Sequence, residues 1–587
     1  MLVCRNMRPV VYQLFVRHFS NYTRDGQPWG TREQNGCGSF NGINDRALES
    51  LARMGVTHLW LTGVIRHATQ TPHPGLPADP ACIVKGIAGS PYAITDYYDV
   101  DPDLAENPAD RMEEFKSLLL RCRRWGMVPM IDFIPNHVSR HYHSLRDNLG
   151  SRDNKNVFFA RDNAFYYLEP HGGDTPMQLP EGEFEPERGC GRVTGNNAAT
   201  WQPSVYDWYE TVKLNYGSDY RHGSYSADAL PNVMAPSAYL PRTWHEMNRV
   251  LEFWQDLGVG GFRCDMAHLI PLPFWRWAIA EARLRDEDVF FMAEAYNDRM
   301  KLCHGDVHTA LLSSGFNGVY DSAAYQAVRD MFEKSSWAND LDVHQNPDAP
   351  MARGGVRYIE NHDEPRVASP AHWGGVGQKI MLAAMAAQYT TTCGPVLVYN
   401  GQETAEAAEG PCGFGGDNGR TSIFDYTSLP RFQNWTNDGA FDGALLPPEL
   451  AQLRESSVQL LLLLQPPALS KGSFYGLNWA NRDNPDFGRL PGETTSGHRL
   501  YACLRHFRKA KSTVLVVCNF DPKREVSASI RIPRHAQEWA GKKPDIYCFE
   551  SLLNPETLPI EIDAEMLEAV GLNISLPPGG AALLEWV

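Results

Sequence analysis

What this chain lacks narrows it first. Its 587 residues contain no apolar run long enough to cross a bilayer. The longest, within residues 458–464, is a fraction of the ~20 residues that a spanning helix needs. An excess of positive charge is missing too. With 54 Lys and Arg against 70 Asp and Glu, the net charge is −16, so neither a nucleic-acid nor a membrane partner is expected. Twelve cysteines are scattered from Cys4 to Cys548 without a Cys-x-x-Cys pair or the Cys/His spacing of a zinc site. No low-complexity tract and no fixed-period repeat is present, which excludes a disordered chain and a solenoid. The opening Met-Leu-Val-Cys-Arg-Asn lacks the charged and apolar regions of an export signal. Together with the scattered thiols, this predicts a cytoplasmic protein.

What is present suits a folded globular protein: 43% apolar and 11% aromatic residues, over a length that calls for two or three domains. Short apolar runs alternate with helical patterns. Strands are predicted at 10–16, 56–62, 127–134, 259–264, 289–293, 317–320, 356–360 and 395–399. Helices are predicted at 45–54, 108–125, 244–257, 274–283, 323–332, 380–388 and 448–464. This alternation describes an α/β fold, a (β/α)8 TIM barrel. Between 139 and 228 the pattern breaks into an irregular, aromatic, Gly-rich stretch too long for an ordinary loop. It reads as an inserted subdomain after strand three, leaving 1–138 and 229–467 to the barrel. From 468 to 587 short runs such as 499–507, 512–520, 527–533, 545–551 and 580–586 are separated by turns. They predict a C-terminal all-β sandwich domain.

On such a barrel, polar residues just past the strand C-termini converge on one face. Asp265, Glu294 and Asp363 stand there, after strands four, five and seven. Strands four and five are neighbours, ~4.8 Å apart. That is near the ~5–5.5 Å carboxyl separation of a retaining glycosidase. Arg263, two residues before Asp265 and so on the same face, is expected to hold that carboxyl ionised. Glu294, inside Met-Ala-Glu-Ala-Tyr, is expected to have a raised pKa and to donate a proton. Each residue taken singly also has a structural reading: a capping Asp, a satisfied His137 or His362, a packing Tyr92 or Trp201. The joint placement of three carboxyls at one end of one barrel is what points to glycosidic bonds.

At these residues the chain resembles the α-amylase superfamily of glycoside hydrolases and transglycosidases. Asp132-Phe-Ile-Pro-Asn-His137 is similar to that family's strand-three motif and Gly261-Phe-Arg-Cys-Asp265 to its strand-four motif. Met292-Ala-Glu294 resembles the strand-five motif and Ile359-Glu-Asn-His-Asp363 the strand-seven motif. The resemblance implies Asp265 as nucleophile, Glu294 as general acid and base, and Asp363 as the residue that steadies an oxocarbenium-like sugar. It implies sugar contacts for Arg263, His137 and His362, and stacking for Tyr92. The implied substrate is an α-glucan or α-glucoside, and the implied chemistry requires no cofactor. A structural calcium belongs to many members near the position of Asn136. Here His268-Leu269 stands where the family commonly has Lys-His, which speaks against that ion. Hydrolysis is the expected outcome. The alternatives are transfer to a sugar acceptor, as in trehalose synthases and maltosyltransferases, and a non-catalytic binding subunit.

Overall fold

The computed structural model describes residues 7–147, 149–169, 175–222, 239–345, 350–410, 413–543 and 546–587. Eight parallel strands form its centre: β1 (Val10–Phe15), β2 (His58–Thr62), β3 (Val128–Phe133), β4 (Gly261–Cys264), β5 (Phe290–Ala293), β6 (Gly318–Tyr320), β7 (Gly355–Val356) and β8 (Val396–Tyr399). They pair in sequence order from β1 to β7, and β8 flanks β1 on its other side. A parallel bridge from Arg357, just past β7, to Val396 of β8 closes the ring. Nearly every strand residue is buried, because a closed parallel barrel meets side chains inside and helices outside.

Each strand is followed by a helix: α1 (Asp45–Arg53), α2 (Arg111–Arg124), α3 (Arg242–Leu257), α4 (Leu272–Arg285), α5 (Val307–Ser313), α6 (Ser322–Glu333), α7 (Gly377–Thr390) and α8 (Pro448–Leu462). Local chemistry sets their ends. Asn44 caps α1 by accepting from the N–H groups of Arg46 and Ala47, and Asp321 caps α6 through Ala324. Gly258 ends α3 at φ 105°, a conformation that a Cβ would disfavour, and turns the chain into β4. All eight strand predictions ran long, seven of them by only one or two residues. The first strand stops at Phe15 and passes into a helical turn, Val16–Phe19. The seventh ends at Val356, keeps one bridge at Arg357, and then leaves the ladder. There Glu360, expected in the strand, instead accepts from Arg366 at 2.8 Å and from the Val367 N–H at 2.7 Å, a buried clasp that bends the chain.

Between β3 and α3 the chain makes its irregular excursion. The antiparallel pair His137–Ser139 and Thr211–Lys213 forms its root, and Met177–Leu179 with Gly182–Phe184 forms a second small ladder. A separate core joins this excursion to the loop after β2, through Ile83, Tyr166, Met177, Val193 and Tyr209. Residues 170–174 and 223–228 of the predicted insertion lie outside the described residues.

The C-terminal region contains β9 (Ser473–Gly476), β10 (Leu500–Phe507), β11 (Ser512–Asn519), β12 (Val526–Ile530), β13 (Ile546–Ser551), β14 (Ile560–Asp563), β15 (Leu572–Leu576) and β16 (Ala581–Trp586). Six of them make an antiparallel sheet in the order β9-β10-β11-β16-β13-β14, and β12 pairs with β15 across its own core. Two short helices, Arg534–Trp539 and Ala564–Ala569, help close that core, because a two-stranded layer is too narrow to cover it alone. The continuous apolar run of β11 has a physical cause. Val514, Val516 and Cys518 face the barrel core, whereas Leu515 and Val517 face the sandwich core. α7 is buried on nearly all sides for the same reason, lying between the barrel and β11.

Candidate active site

The site is built on Arg263. On β4 its side chain is fully buried, and burial alone would lower its pKa. Three carboxylates and three ring faces compensate. One terminal nitrogen bonds Asp265 Oδ1 at 2.8 Å and lies 3.6 Å from Asp132 Oδ1, and the other lies 2.7 Å from Glu294 Oε2. Trp60, Tyr92 and Tyr320 hold their ring centres 5.2, 5.3 and 5.8 Å from the guanidinium carbon. The net effect holds Arg263 charged, well above its ordinary value.

Strand register sets the two principal carboxylates level. Cys264 pairs with Ala293, so Asp265 and Glu294 leave adjacent strands one step further on. Both remain tied to the ladder: the Asp265 N–H donates to Phe133 O and the Glu294 N–H to Cys264 O. Met266 then turns at φ 45°, a left-handed conformation that is strained for a side chain of its size. That strain aims the Met266 N–H at Glu294 Oε2, 3.0 Å away, while the Tyr296 hydroxyl donates to Oε1 at 3.1 Å.

Two hydrogen bonds and the Arg263 ion pair thus converge on Glu294, while Asp265 has one hydrogen bond, and its Oδ2 is buried without a partner. Burial, and then the neighbouring Glu294 charge, push Asp265 well above the usual carboxylate range. This corrects the expectation that Arg263 keeps Asp265 ionised. One guanidinium divided among Asp132, Asp265 and Glu294 does not offset the loss of water. Asp132, which also accepts from the Gly63 N–H at 3.1 Å, is pushed up to about 6 by the same burial.

Asp363 reaches the site from the turn after β7. Asn361 Oδ1 accepts from the N–H groups of Asp363 and Glu364 at 2.8 and 3.1 Å, which fixes that turn. The Asp363 side chain stays 39% exposed, the most open of the three carboxyls. His362 beside it is buried, and desolvation, helped by the Arg263 charge, holds its pKa well below the ordinary value. Gln13 Nε2 donates to its Nδ1 at 2.8 Å, so Nε2 carries the proton. That nitrogen lies 2.5 Å from the Tyr92 hydroxyl and 3.0 Å from Asp363 Oδ2. The Tyr92 ring stacks on His362 with centres 5.4 Å apart.

Six of the seven singled-out residues therefore form one contact network. His137 stands at its edge, 5.2 Å from the Trp208 ring centre, and burial pushes its pKa down to about 3. Trp201 lies away from the network, packed against the core of the excursion. Sequence reasoning passed over Asp132, Gln13, Trp60, Tyr296 and Tyr320. Period-two alternation could have found three of them: Gln13, Trp60 and Asp132 share the inward face of their strands.

The calcium expectation meets a lysine. Asn136 Oδ1 accepts from Lys213 Nζ at 2.7 Å, and that side chain is buried, its pKa pushed down to about 7 by desolvation. Among the described residues no group of three or more His, Cys, Asp or Glu is arranged to hold a metal ion. His268 is likewise internal, 3.3 Å from Asp298 Oδ2.

Comparison with known proteins identifies the frame. The family model "Alpha amylase, catalytic domain" matches residues 13–410. The chain belongs to the alpha-amylase family. It is 23% identical to Alpha-amylase 3 of Dictyoglomus thermophilum over 411 residues, 67% of this chain and 63% of that one. A shorter stretch of 97 residues, 16% of this chain, is 36% identical to the Alpha-1,4-glucan:maltose-1-phosphate maltosyltransferase of Burkholderia pseudomallei, of which it covers 8%. The chain therefore spans less than two thirds of either relative's length. The crystal structure of an alpha-amylase from Lactobacillus plantarum superposes with a TM-score of 0.60 over 99% of both chains at 18% identity, a likeness of fold. This enzyme family contains both hydrolases and transferring members, and no helix among the described residues is long and apolar enough to cross a membrane.

Proposed function

We propose that this alpha-amylase family enzyme hydrolyses α-glucosidic bonds of α-glucans or oligosaccharides with retention of configuration. Asp265 attacks the anomeric carbon while Glu294 protonates the departing glycosidic oxygen, giving a glycosyl ester on Asp265. Water, deprotonated by Glu294, then displaces Asp265 and restores the first anomeric configuration. Asp363 and His362 hold the distorted ring and Tyr92 stacks on it. The observation that carries this reading is the shared guanidinium: Asp265 and Glu294, level on neighbouring strands, each face one nitrogen of Arg263, Asp265 through a hydrogen bond and Glu294 through an ion pair.

In the free protein burial and the Glu294 charge favour the protonated form of Asp265, whereas attack needs its carboxylate. On this reading the reactive complex has Asp265 ionised and the proton on Glu294, from which the glycosidic oxygen takes it up. Transfer to a sugar acceptor is the second reading, favoured by the 36% identical stretch in a maltosyltransferase. Both readings share the steps up to the glycosyl ester. Product analysis on α-1,4, α-1,6 and α-1,1 glucosides, with and without phosphate, separates them. Reducing sugar without longer oligomers supports hydrolysis, and a ladder of longer products or a sugar phosphate overturns it.

We further read Lys213 as the cation that ties the Asn136 turn to the excursion, in place of calcium. A cytoplasmic setting suits the cysteines, since all ten within the described residues are unpaired.

A further inference from the structure

Four rings gather on the surface of the C-terminal region, away from the elements that carry the carboxylates, against a fifth, the buried His506. Tyr475 lies on β9, Trp479 on the turn after it, His506 on β10, and His535 and Trp539 on the helix Arg534–Trp539. Their centres form one connected set: Tyr475 to Trp539 is 5.2 Å, Trp479 to His535 5.4 Å, His506 to Trp539 5.6 Å and Tyr475 to His535 6.0 Å. The set is not a core. Trp479 is 55% exposed, and Tyr475 and Trp539 are only half-buried against the sandwich. Leaving that much ring surface in water is unfavourable, and exposed clusters of this kind mark binding surfaces.

The chemistry of the cluster selects its ligand. We propose that it is a second, non-catalytic carbohydrate-binding surface that takes an α-glucan chain; the ligand's identity rests on the reading of the barrel as an α-glucan enzyme. The axial C–H bonds of a pyranose present a weakly positive face to the negative face of an aromatic ring. Tyr475 Oη and the indole nitrogens of Trp479 and Trp539 have no hydrogen-bond partner among the described residues and are not sealed from water. They are free to bond sugar hydroxyls. The charged side chains of the bearing helix, Arg534 and Glu538, lie 3.7 Å apart and neutralise each other, which favours an uncharged polyol over an anion. The platform is also rigid. Asn478, beside Trp479, donates to Leu500 O at 2.9 Å and to Asn339 Oδ1 at 2.6 Å, and accepts from the Ala502 N–H at 2.8 Å. Little ordering remains to oppose binding.

The test is native electrophoresis in gels containing glycogen, using full-length protein in a Glu294→Gln background to prevent digestion. The parent should be retarded. Trp479→Ala should weaken the apparent affinity about 10-fold, and Trp479→Phe should retain most of it. Placed in the otherwise native chain, Trp479→Ala should turn over maltotriose at the native rate. Equal retardation of parent and Trp479→Ala would overturn the proposal, as would a matching loss in the Phe variant. So would a parent dimer that Trp479→Ala dissociates in sedimentation, since the patch would then be a self-interface. If native protein turns over maltotriose but glycogen does not retard the parent, the surface proposal alone fails. If no α-glucoside is turned over, the reading of the barrel fails and the proposed ligand falls with it.

Discussion

Glu294→Gln tests the proposed division of labour between the two carboxyls. The substitution keeps the side chain's shape. Its carbonyl oxygen can still accept from the Met266 N–H and face Arg263, and its amide can donate to the Tyr296 hydroxyl, so the rest of the Arg263 network should survive. What is lost is the proton donor. On an unactivated maltooligosaccharide kcat/KM should fall about 10²–10⁴-fold, or roughly 3–5 kcal/mol of transition-state stabilisation. On α-glucosyl fluoride, whose leaving group needs no protonation, the loss should be under about 10-fold. The pH profile carries the electrostatic half of the reasoning. On the fluoride, the acid limb of kcat/KM reports Asp265 giving up its proton, and Asp265 is pushed up by burial and then by the Glu294 charge. Neutralising Glu294 removes the second cause, so the acid limb should move to lower pH. Equal losses on both substrates, or an acid limb that stays fixed or rises, would refute the assignment.

Four further outcomes are expected. Asp265→Asn should lower turnover at least about 10³-fold while stabilising the protein by roughly 1–2 kcal/mol in urea unfolding, because it removes a poorly solvated charge. A carboxyl whose folded pKa is raised contributes stability in its protonated form and loses it as pH rises through that pKa, so the gap between native and variant should widen from acid to neutral pH. Chelator or added calcium should leave the melting temperature unchanged to within about 1 °C. For Lys213 the folded pKa, about 7, lies below its ordinary value of 10.5, so the unfolded chain binds more protons between them. Native stability should therefore rise with pH across that window, and Lys213→Met should flatten the rise. Finally, Arg263→Met should cost about 3–5 kcal/mol, and combining it with Asp265→Asn should recover part of that in a double-mutant cycle; strict additivity would contradict a shared network.

The barrel was legible because its strands are buried on both faces and read as short apolar runs, each closed by a polar residue at the mouth. Asp265, Glu294 and Asp363 were singled out by that position together with the motifs around them. The length of the seventh strand was not legible: Arg357-Tyr-Ile-Glu has strand-like alternation, but Glu360 finds Arg366 six residues on and pulls the chain out of the ladder. The strands β9, β14 and β15 escaped because they are edge or half-exposed segments with weak apolar signals. At the site, the Arg–Asp pair was visible but its electrostatics were not. Spacing along one strand shows that Arg263 can meet Asp265. It does not show that Glu294 and Asp132 compete for the same guanidinium from two other strands. Met266 illustrates a deeper limit, since no feature of a methionine announces φ 45°.

The charge arrangement of the site connects fold to function. Asp132, Asp265 and Glu294 surround one permanent cation, Arg263, while His362 and His137 are held neutral by burial. The barrel floor is therefore short of positive charge, and Asp265 is pushed well above the usual carboxylate range and Asp132 up to about 6. A neutral sugar does not change that shortage. On the proposed mechanism the transition state does, because the anomeric carbon becomes positive directly beside Asp265, as Glu294 surrenders its proton to the leaving oxygen. The interaction is strong only while that charge exists, which is the condition for lowering a barrier rather than merely tightening binding. The same shortage explains why rings surround Arg263. Trp60, Tyr92 and Tyr320 offer it ring faces without adding a further net charge, and they exclude the water that would screen the developing cation.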